Sequence, residues 1–162
     1  MTDRELFMRF WQDEAPRFRR VLEALPADHL DFRPHERSRS ARELAWTIVD
    51  VTSLLAEFLG NGEAHWQPQA PPTSLQEILS AYDRSSQAVT EELERADDDR
   101  WGGWTGRLLA EGQIVWEAPF RDMAWGYLFD LIHHRGQLSV YIRPMGGRVP
   151  AIYGPSGDFP NF

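Results

Sequence analysis

Three segments of the chain open with the same helix-capping pattern, S/T-x-x-E. It occurs at Thr2–Glu5, Ser40–Glu43 and Ser74–Glu77. In this pattern the hydroxyl and the carboxylate each accept a hydrogen bond from a backbone amide that has no partner inside the helix. Three such starts predict three helices and restrict the fold to one that contains several long helices.

Apolar residues follow each of these starts at the i, i+3, i+4 spacing of an amphipathic helix. A fourth segment shows the same spacing between two prolines: Pro119 suits a first helical turn, and Pro144 disfavours helical backbone in the residue before it. The predicted helices cover residues 3–25, 41–59, 75–96 and 119–143. Helices of this length with short connections are typical of a four-helix bundle, whose sites lie between facing helices.

Two other segments do not have this spacing. "WTGRLL" and "QIVWEA", residues 104–109 and 113–118, are short and rich in aromatic and β-branched residues, which predicts a hairpin. The last 17 residues are rich in Gly and Pro, but their apolar side chains predict a tail that packs onto the bundle. We therefore expect an all-α four-helix bundle with an irregular or hairpin insert before the last helix, forming one domain over residues 1–162.

Composition excludes several classes of function. The chain has no Cys, which excludes thiolate catalysis by the protein, iron–sulfur clusters and Cys-rich zinc sites. Its formal net charge of −8 argues against binding to nucleic acid. The charged N-terminal stretch and the lack of an 18-residue apolar run predict neither secretion nor membrane insertion, so we expect a cytoplasmic protein.

The stretch "DLIHHRGQLSVYIRPMGG", residues 130–147, contains the main candidate site. Residues four apart on an α-helix lie within about 40° of each other and about 6 Å apart along the axis. Asp130 and His134 therefore share a face. The same face forms a polar line beside the core, made of Tyr127, Asp130, His134, Gln137 and Tyr141.

Three interpretations of this pair remain open. A carboxylate and an imidazole at this spacing can bind one divalent metal ion. They can equally form a structural hydrogen bond that satisfies two polar groups beside the core. In the third interpretation, Asp130 orients His134 as a general base without metal, although no nucleophile is evident.

Other residues of the stretch have structural interpretations. We expect Arg135 and Arg143 to tie helix ends or the C-terminal tail in place, because a guanidinium donates several hydrogen bonds in a fixed geometry. Gln137 is expected to bridge neighbouring helices. Gly136 is expected to allow a close helix approach, because glycine inside a helix is costly without a packing reason.

Two blocks of sequence resemble the DinB/YfiT-like superfamily of bacterial damage-inducible, metal-binding four-helix bundles. They are "LDFRPHERSRSARELAWTI", residues 30–48, and "HHRGQLSVYIRPMGGRVPAIYGPS", residues 133–156. The resemblance implies a divalent metal held by three histidines, one on the second helix and an H-x-x-x-H pair on the fourth. The second histidine of that pair falls on His134.

This chain departs from the implied ligand set at two positions. Asp130 stands at the first position of the pair and is still a competent ligand, whereas Thr47 stands at the second-helix position and is a poor ligand for zinc or nickel. Asp50 and Glu43, about one turn to either side of Thr47, are alternative donors. With two of three ligands retained, we expect a divalent ion (Zn, Ni, Mn or Mg) to bind weakly or not at all.

The resemblance leaves two functions open. One is a metal-dependent enzyme of the thiol-dependent transferase or hydrolase type, acting on a small-molecule substrate through Asp130, His134 and a site at Thr47. The other is a non-catalytic, metal-free module for stress-related binding or dimerisation. In either case the resemblance implies a homodimer.

Overall fold

The structure is a computed structural model that describes residues 1–161. It contains five helices and three strands within this range. In chain order these are α1 (Asp3–Glu23), α2 (Ala41–Asn61), β1 (Glu63–Trp66), α3 (Leu75–Arg95), α4 (Asp98–Gly103), β2 (Thr105–Ala110), β3 (Gln113–Pro119) and α5 (Phe120–Ser139). The four long helices are those predicted from the sequence.

Two of the three predicted capping boxes form. The Thr2 hydroxyl accepts from the Glu5 amide at 3.3 Å, and the Ser40 hydroxyl accepts from the Glu43 amide at 3.2 Å. The prediction for Ser74 is wrong, because its side chain makes no capping hydrogen bond. There the helix begins with its own backbone bond from the amide of Ile78 to the Ser74 carbonyl.

The core lies between α1, α2, α3 and α5, as expected for a bundle. Helix α2 packs against both α3 and α5 and is the central helix. The apolar line of α5 is buried as predicted, and it consists of Ala124, Leu128, Leu131, Leu138 and, just beyond the helix, Ile142. Burial of apolar surface on this scale supplies the main driving force for folding.

The all-α expectation is wrong, because a three-stranded mixed sheet packs against α2 and α5. The order is β1-β2-β3, with β1 parallel to β2 and β2 antiparallel to β3. The predicted hairpin is β2–β3, and its turn contains Glu111 (φ 50°) and Gly112 (φ 75°), the positive values that a tight hairpin turn favours. Strand β1 follows Gly62, whose left-handed backbone (φ 77°) ends α2.

The last helix is shorter than predicted. Helix α5 ends at Ser139, and the chain then forms turns, the first with a hydrogen bond from the Tyr141 amide to the Leu138 carbonyl at 3.0 Å. The restriction imposed by Pro144 acts on only one residue, so it sets an upper limit and not the end of the helix. The short helix α4 was not predicted.

The C-terminal tail packs onto α1 and α5, as expected. The buried guanidinium of Arg135 contacts both the Glu14 carboxylate and the Tyr153 hydroxyl. Arg143 pairs with Asp158 at 2.9 Å. The two arginines therefore hold the tail, as the sequence predicted.

Two smaller predictions for α5 are wrong. Gln137 does not bridge helices, because its side chain bonds to His134 on the same helix. A Cβ at Gly136 would meet no atom within 4 Å, so this glycine does not allow a close approach. The tight position is Gly126, where a Cβ would lie 2.5 Å from Cη2 of Trp116.

Among the described residues, no helix combines the length and the apolar character that crossing a bilayer requires.

Candidate functional site

A cavity of about 690 Å³ lies between α2, α5 and the sheet. Its polar residues include Arg39, Thr47, Asp130 and His134. Its apolar and aromatic wall is formed by Val51, Leu54, Trp66, Leu108, Ala110, Val115, Trp116, Gly126 and Tyr127. The cavity therefore contains all three residues that the sequence singled out as candidate ligands.

Asp130 and His134 form the acid–imidazole couple expected from their spacing. His134 Nε2 lies 3.4 Å from Asp130 Oδ1, and the Asp130 side chain is 48% exposed against 15% for His134. On its other side, His134 Nδ1 lies 2.9 Å from Gln137 Oε1. Both ring nitrogens therefore face acceptor oxygens, an arrangement that favours the doubly protonated imidazolium.

The electrostatics of the couple follow from this geometry. The hydrogen bond with Asp130 is the main cause that raises the pKa of His134 above its ordinary value, and Gln137 adds to it against the opposing effect of burial. The hydrogen bond with His134 is likewise the main cause that lowers the pKa of Asp130. The pair is thus biased towards an imidazolium and a carboxylate.

Thr47 is already engaged by the protein. Its hydroxyl donates to the Glu43 carbonyl at 2.9 Å, a bond within α2, and accepts from Nη1 of Arg39 at 3.0 Å. Asp50 does not line the cavity. Glu43 does not take the place of Thr47 as a ligand either, since the Glu43 carboxylate binds the Ser40 amide and Arg33.

Tyr127 contributes an unpaired polar group. This side chain is 4% exposed, and its hydroxyl has no hydrogen-bond partner among residues 1–161. Burial raises the pKa of Tyr127 and so keeps the phenol protonated. A buried hydroxyl without a partner costs free energy.

These residues do not fit a tightly held divalent ion. Within the described part of the chain, no group of three His, Asp or Glu side chains is placed to hold a metal. Asp130 and His134 supply two ligands, and the hydroxyl at the third position bonds to a guanidinium. A permanent positive charge beside the site opposes a second cation.

Sequence reasoning did not identify Arg39 or the two tryptophans of the wall. Arg39 had a usable signal, because it directly precedes Ser40, the residue that caps α2. It also lies only eight residues before Thr47 in the sequence. Trp66 lies on the unpredicted strand β1, and Trp116 lies on β3. These two tryptophans meet at the cavity only because the strands that carry them belong to one sheet.

Comparisons with known proteins identify the family. A family model described as the DinB superfamily matches residues 11–138. The uncharacterized protein YrdA of Bacillus subtilis is 27% identical over 158 residues, covering 94% of this chain and 89% of that protein. The uncharacterized protein YjoA of the same organism is 30% identical over 129 residues, covering 78% of this chain and 80% of that protein.

Solved structures agree on the fold. The crystal structure of the DinB-like protein YjoA from B. subtilis superposes with a TM-score of 0.72 and 20% identity, covering 92% of this chain and 99% of that one. The crystal structure of a mycothiol-dependent maleylpyruvate isomerase gives a TM-score of 0.53 at 10% identity, covering 97% of this chain and 64% of that one. By its sequence match over most of its length and by its fold, this chain belongs to the DinB superfamily.

Proposed function

We propose that this DinB superfamily protein binds a small organic molecule in the cavity between α2, α5 and the sheet, and that it does so without a tightly held metal ion. The volume of about 690 Å³ suits a molecule of this kind, since such sites range over roughly 300–1,000 Å³. A mostly apolar wall with a few convergent polar groups is the composition that small-molecule sites share.

The observation that carries this proposal is the state of the polar groups around the cavity. Arg39 donates to Thr47, which leaves that hydroxyl unsuited to a metal and places a guanidinium on the cavity wall. This arrangement favours a ligand with acceptor atoms over a cation.

Ala110 offers a way to test the proposal without disturbing the core. It lies at the end of β2, faces the cavity and is partly exposed. Ala110→Trp should fill part of the cavity while leaving the helices packed. The matched control is Ala70→Trp, which adds the same side chain in the exposed connection after β1.

Ligand-observed NMR with a library of small aromatic and aliphatic fragments is the measurement. Fragments should bind the wild type and the Ala70→Trp variant and lose binding in Ala110→Trp, with circular dichroism showing that all three are folded. Fragments that bind all three alike, or a wild type that binds none, would contradict the proposal.

A second candidate is a metal-dependent enzyme of the thiol-dependent transferase or hydrolase type. Two observations favour it: the Asp130–His134 couple lies on the cavity wall, and the neighbour of this fold named above is a mycothiol-dependent isomerase. When bound, a metal would lower the pKa of a coordinated thiol or water. Asp130 and His134 would hold it.

Zinc titration by competition with a chromophoric chelator separates the two candidates. Submicromolar binding by the wild type that is lost in both Asp130→Ala and His134→Ala would favour the enzyme. Binding weaker than the chelator can detect, unchanged in either variant, is what the metal-free proposal predicts.

A further inference from the structure

We propose that the cavity takes a small organic monoanion, with a carboxylate held by the guanidinium of Arg39 and an aromatic or branched apolar body lying between Trp66 and Trp116. This inference rests on the proposed function and names the class of ligand. It follows from three observations. Arg39 has no ion-pair partner among residues 1–161, the apolar wall of the cavity is open to solvent, and the protein as a whole is negatively charged.

Arg39 is only partly used by the protein. Its side chain donates one hydrogen bond, from Nη1 to Thr47, although a guanidinium carries five N–H groups. Within residues 1–161 it forms no ion pair at 4 Å or less, and its nearest acidic neighbour on the cavity wall, Asp130, pairs with His134. Arg33 and Arg42, by contrast, are neutralised by Glu43 and Asp31.

The backbone around Arg39 is fixed, and the hydrogen bond to Thr47 orients its exposed side chain. The next residue, Ser40, is buried and caps α2 through its hydroxyl. The carbonyl of Arg39 accepts a hydrogen bond from the Tyr141 hydroxyl at 3.2 Å, which ties this position to the segment after α5. An anchored cation loses less conformational entropy on binding than a free surface arginine does.

The charges of the cavity favour an anion. The Asp130 carboxylate bonds to His134 and not to Arg39, so among residues 1–161 no carboxylate lies within 4 Å of the Arg39 guanidinium. An arginine can bind a carboxylate through two parallel hydrogen bonds.

The net charge of the protein limits how much negative charge the ligand can carry. At −8 the protein as a whole repels anions, and this repulsion grows with the charge of the ligand. A single carboxylate gains the local attraction of Arg39 at the smallest cost in long-range repulsion. Polyphosphates and nucleotides are disfavoured for the same reason.

The far wall of the cavity is suited to an apolar body. Trp66 is 43% exposed and Val115 is 58% exposed, and both line the cavity beside Leu108 and Trp116. Large apolar side chains that remain open to solvent along one concave wall are typical of ligand sites. A flat aromatic ring would cover this surface.

The test compares matched compounds that differ only in charge. The set is phenylacetate, phenylacetamide and phenethylamine, together with indole-3-acetate, indole-3-acetamide and tryptamine. Binding is measured by isothermal titration calorimetry or ligand-observed NMR at pH 7 and low salt. The variants are Arg39→Gln and Arg39→Lys, and the control is Arg37→Gln, an exposed arginine of the same connection that does not line this cavity.

We expect each acid to bind at least about tenfold more tightly than its amide, because its hydrogen bonds to the guanidinium are charge-assisted. Arg39→Gln should remove this preference, Arg39→Lys should keep part of it, and Arg37→Gln should leave it unchanged. Amides or amines that bind as well as the acids, with binding lost in Ala110→Trp, would overturn the inference and leave the proposed function standing. If none of the six binds, the inference fails, and the fragment library decides the proposed function separately.

Discussion

Nη1 of Arg39 lies 3.0 Å from the hydroxyl of Thr47, and both residues line the cavity that contains the Asp130–His134 couple. The resemblance to metal-binding DinB proteins implies a histidine where Thr47 stands. In this chain Thr47 stands at that position, and its hydroxyl accepts a hydrogen bond from the Arg39 guanidinium. The implied metal ligand is therefore replaced here by a hydrogen-bonded pair of two residues, Thr47 and Arg39.

Thr47→His should therefore give only weak zinc binding, because the guanidinium of Arg39 remains beside the ion. The double change Thr47→His with Arg39→Gln should bind zinc more tightly, by about tenfold or more, since it removes one unit of positive charge from the site. Competition titration with a chelator measures both. Equal affinities in the single and double variants would show that Arg39 does not oppose the ion.

The imidazole of His134 should titrate above the ordinary histidine value. Its folded-state pKa is raised mainly by Asp130, so the couple stabilises the fold below the unfolded-state pKa, and this contribution disappears as the pH rises through the folded-state value. For Asp130 the pKa is lowered, so its contribution is present above its unfolded-state pKa and is lost as the pH falls. NMR titration of the His134 ring protons should show a lower pKa in Asp130→Asn. An unchanged pKa would mean that the couple does not form in solution.

Breaking the buried ion pair between Glu14 and Arg135 should destabilise the protein strongly. Their side chains are 4% and 2% exposed, and the Tyr153 hydroxyl donates to the same Glu14 carboxylate at 3.1 Å. Arg135→Met leaves the buried Glu14 carboxylate with only the partly exposed Arg17, whose Nη1 lies 2.9 Å from Oε1, and should cost about 3 kcal/mol, the lower end of the range for breaking a buried ion pair. Urea denaturation measures the loss. The matched double variant Glu14→Leu with Arg135→Met should recover much of it, and a single variant as stable as wild type would contradict the account.

Two glycines of α5 should respond in opposite ways to alanine. Gly126→Ala places a methyl group against Trp116 and should cost about 1–3 kcal/mol while pushing the indole into the cavity. Gly136→Ala meets open space and should stabilise the helix by about 0.5–1 kcal/mol. Thermal and urea denaturation measure both. Equal effects at the two positions would mean that Trp116 does not pack against Gly126.

Asp50 should make the fold less stable as the pH rises. Burial raises its pKa to about 6, so the folded state disfavours the carboxylate, and the free energy of unfolding should fall between about pH 4 and pH 6 on account of this residue. Asp50→Asn should then be more stable than wild type above pH 6, by about 1–2 kcal/mol. At pH 4 the two proteins should be equally stable. Urea denaturation at pH 4 and above pH 6 checks this. If Asp50→Asn and wild type differ in stability by the same amount at both pH values, the titration of Asp50 is not the cause of the difference.

The sequence predicted what depends on local pattern. The four long helices follow from apolar spacing, and the i, i+4 relation of Asp130 and His134 gives their contact directly. The role of Arg135 in holding the tail was also predicted, because a guanidinium can tie helix ends or the tail through several hydrogen bonds of fixed geometry.

What the sequence missed depends on contacts between distant segments. Strand β1 has four residues and pairs with β2 more than forty residues later, so its own pattern is too short to identify it. The importance of Arg39 appears only when the connection before α2 is seen against the cavity. Only the position of Trp116 shows that Gly126, and not Gly136, is the tightly packed glycine of α5.

Native mass spectrometry of the protein purified without a metal-binding tag, from cells grown with ample zinc, nickel and manganese, tests the central claim most directly. We predict a chain without a bound metal ion, either alone or carrying a small organic molecule that is absent from Ala110→Trp. A spectrum with one metal ion on each chain, lost in both Asp130→Ala and His134→Ala, would contradict the account.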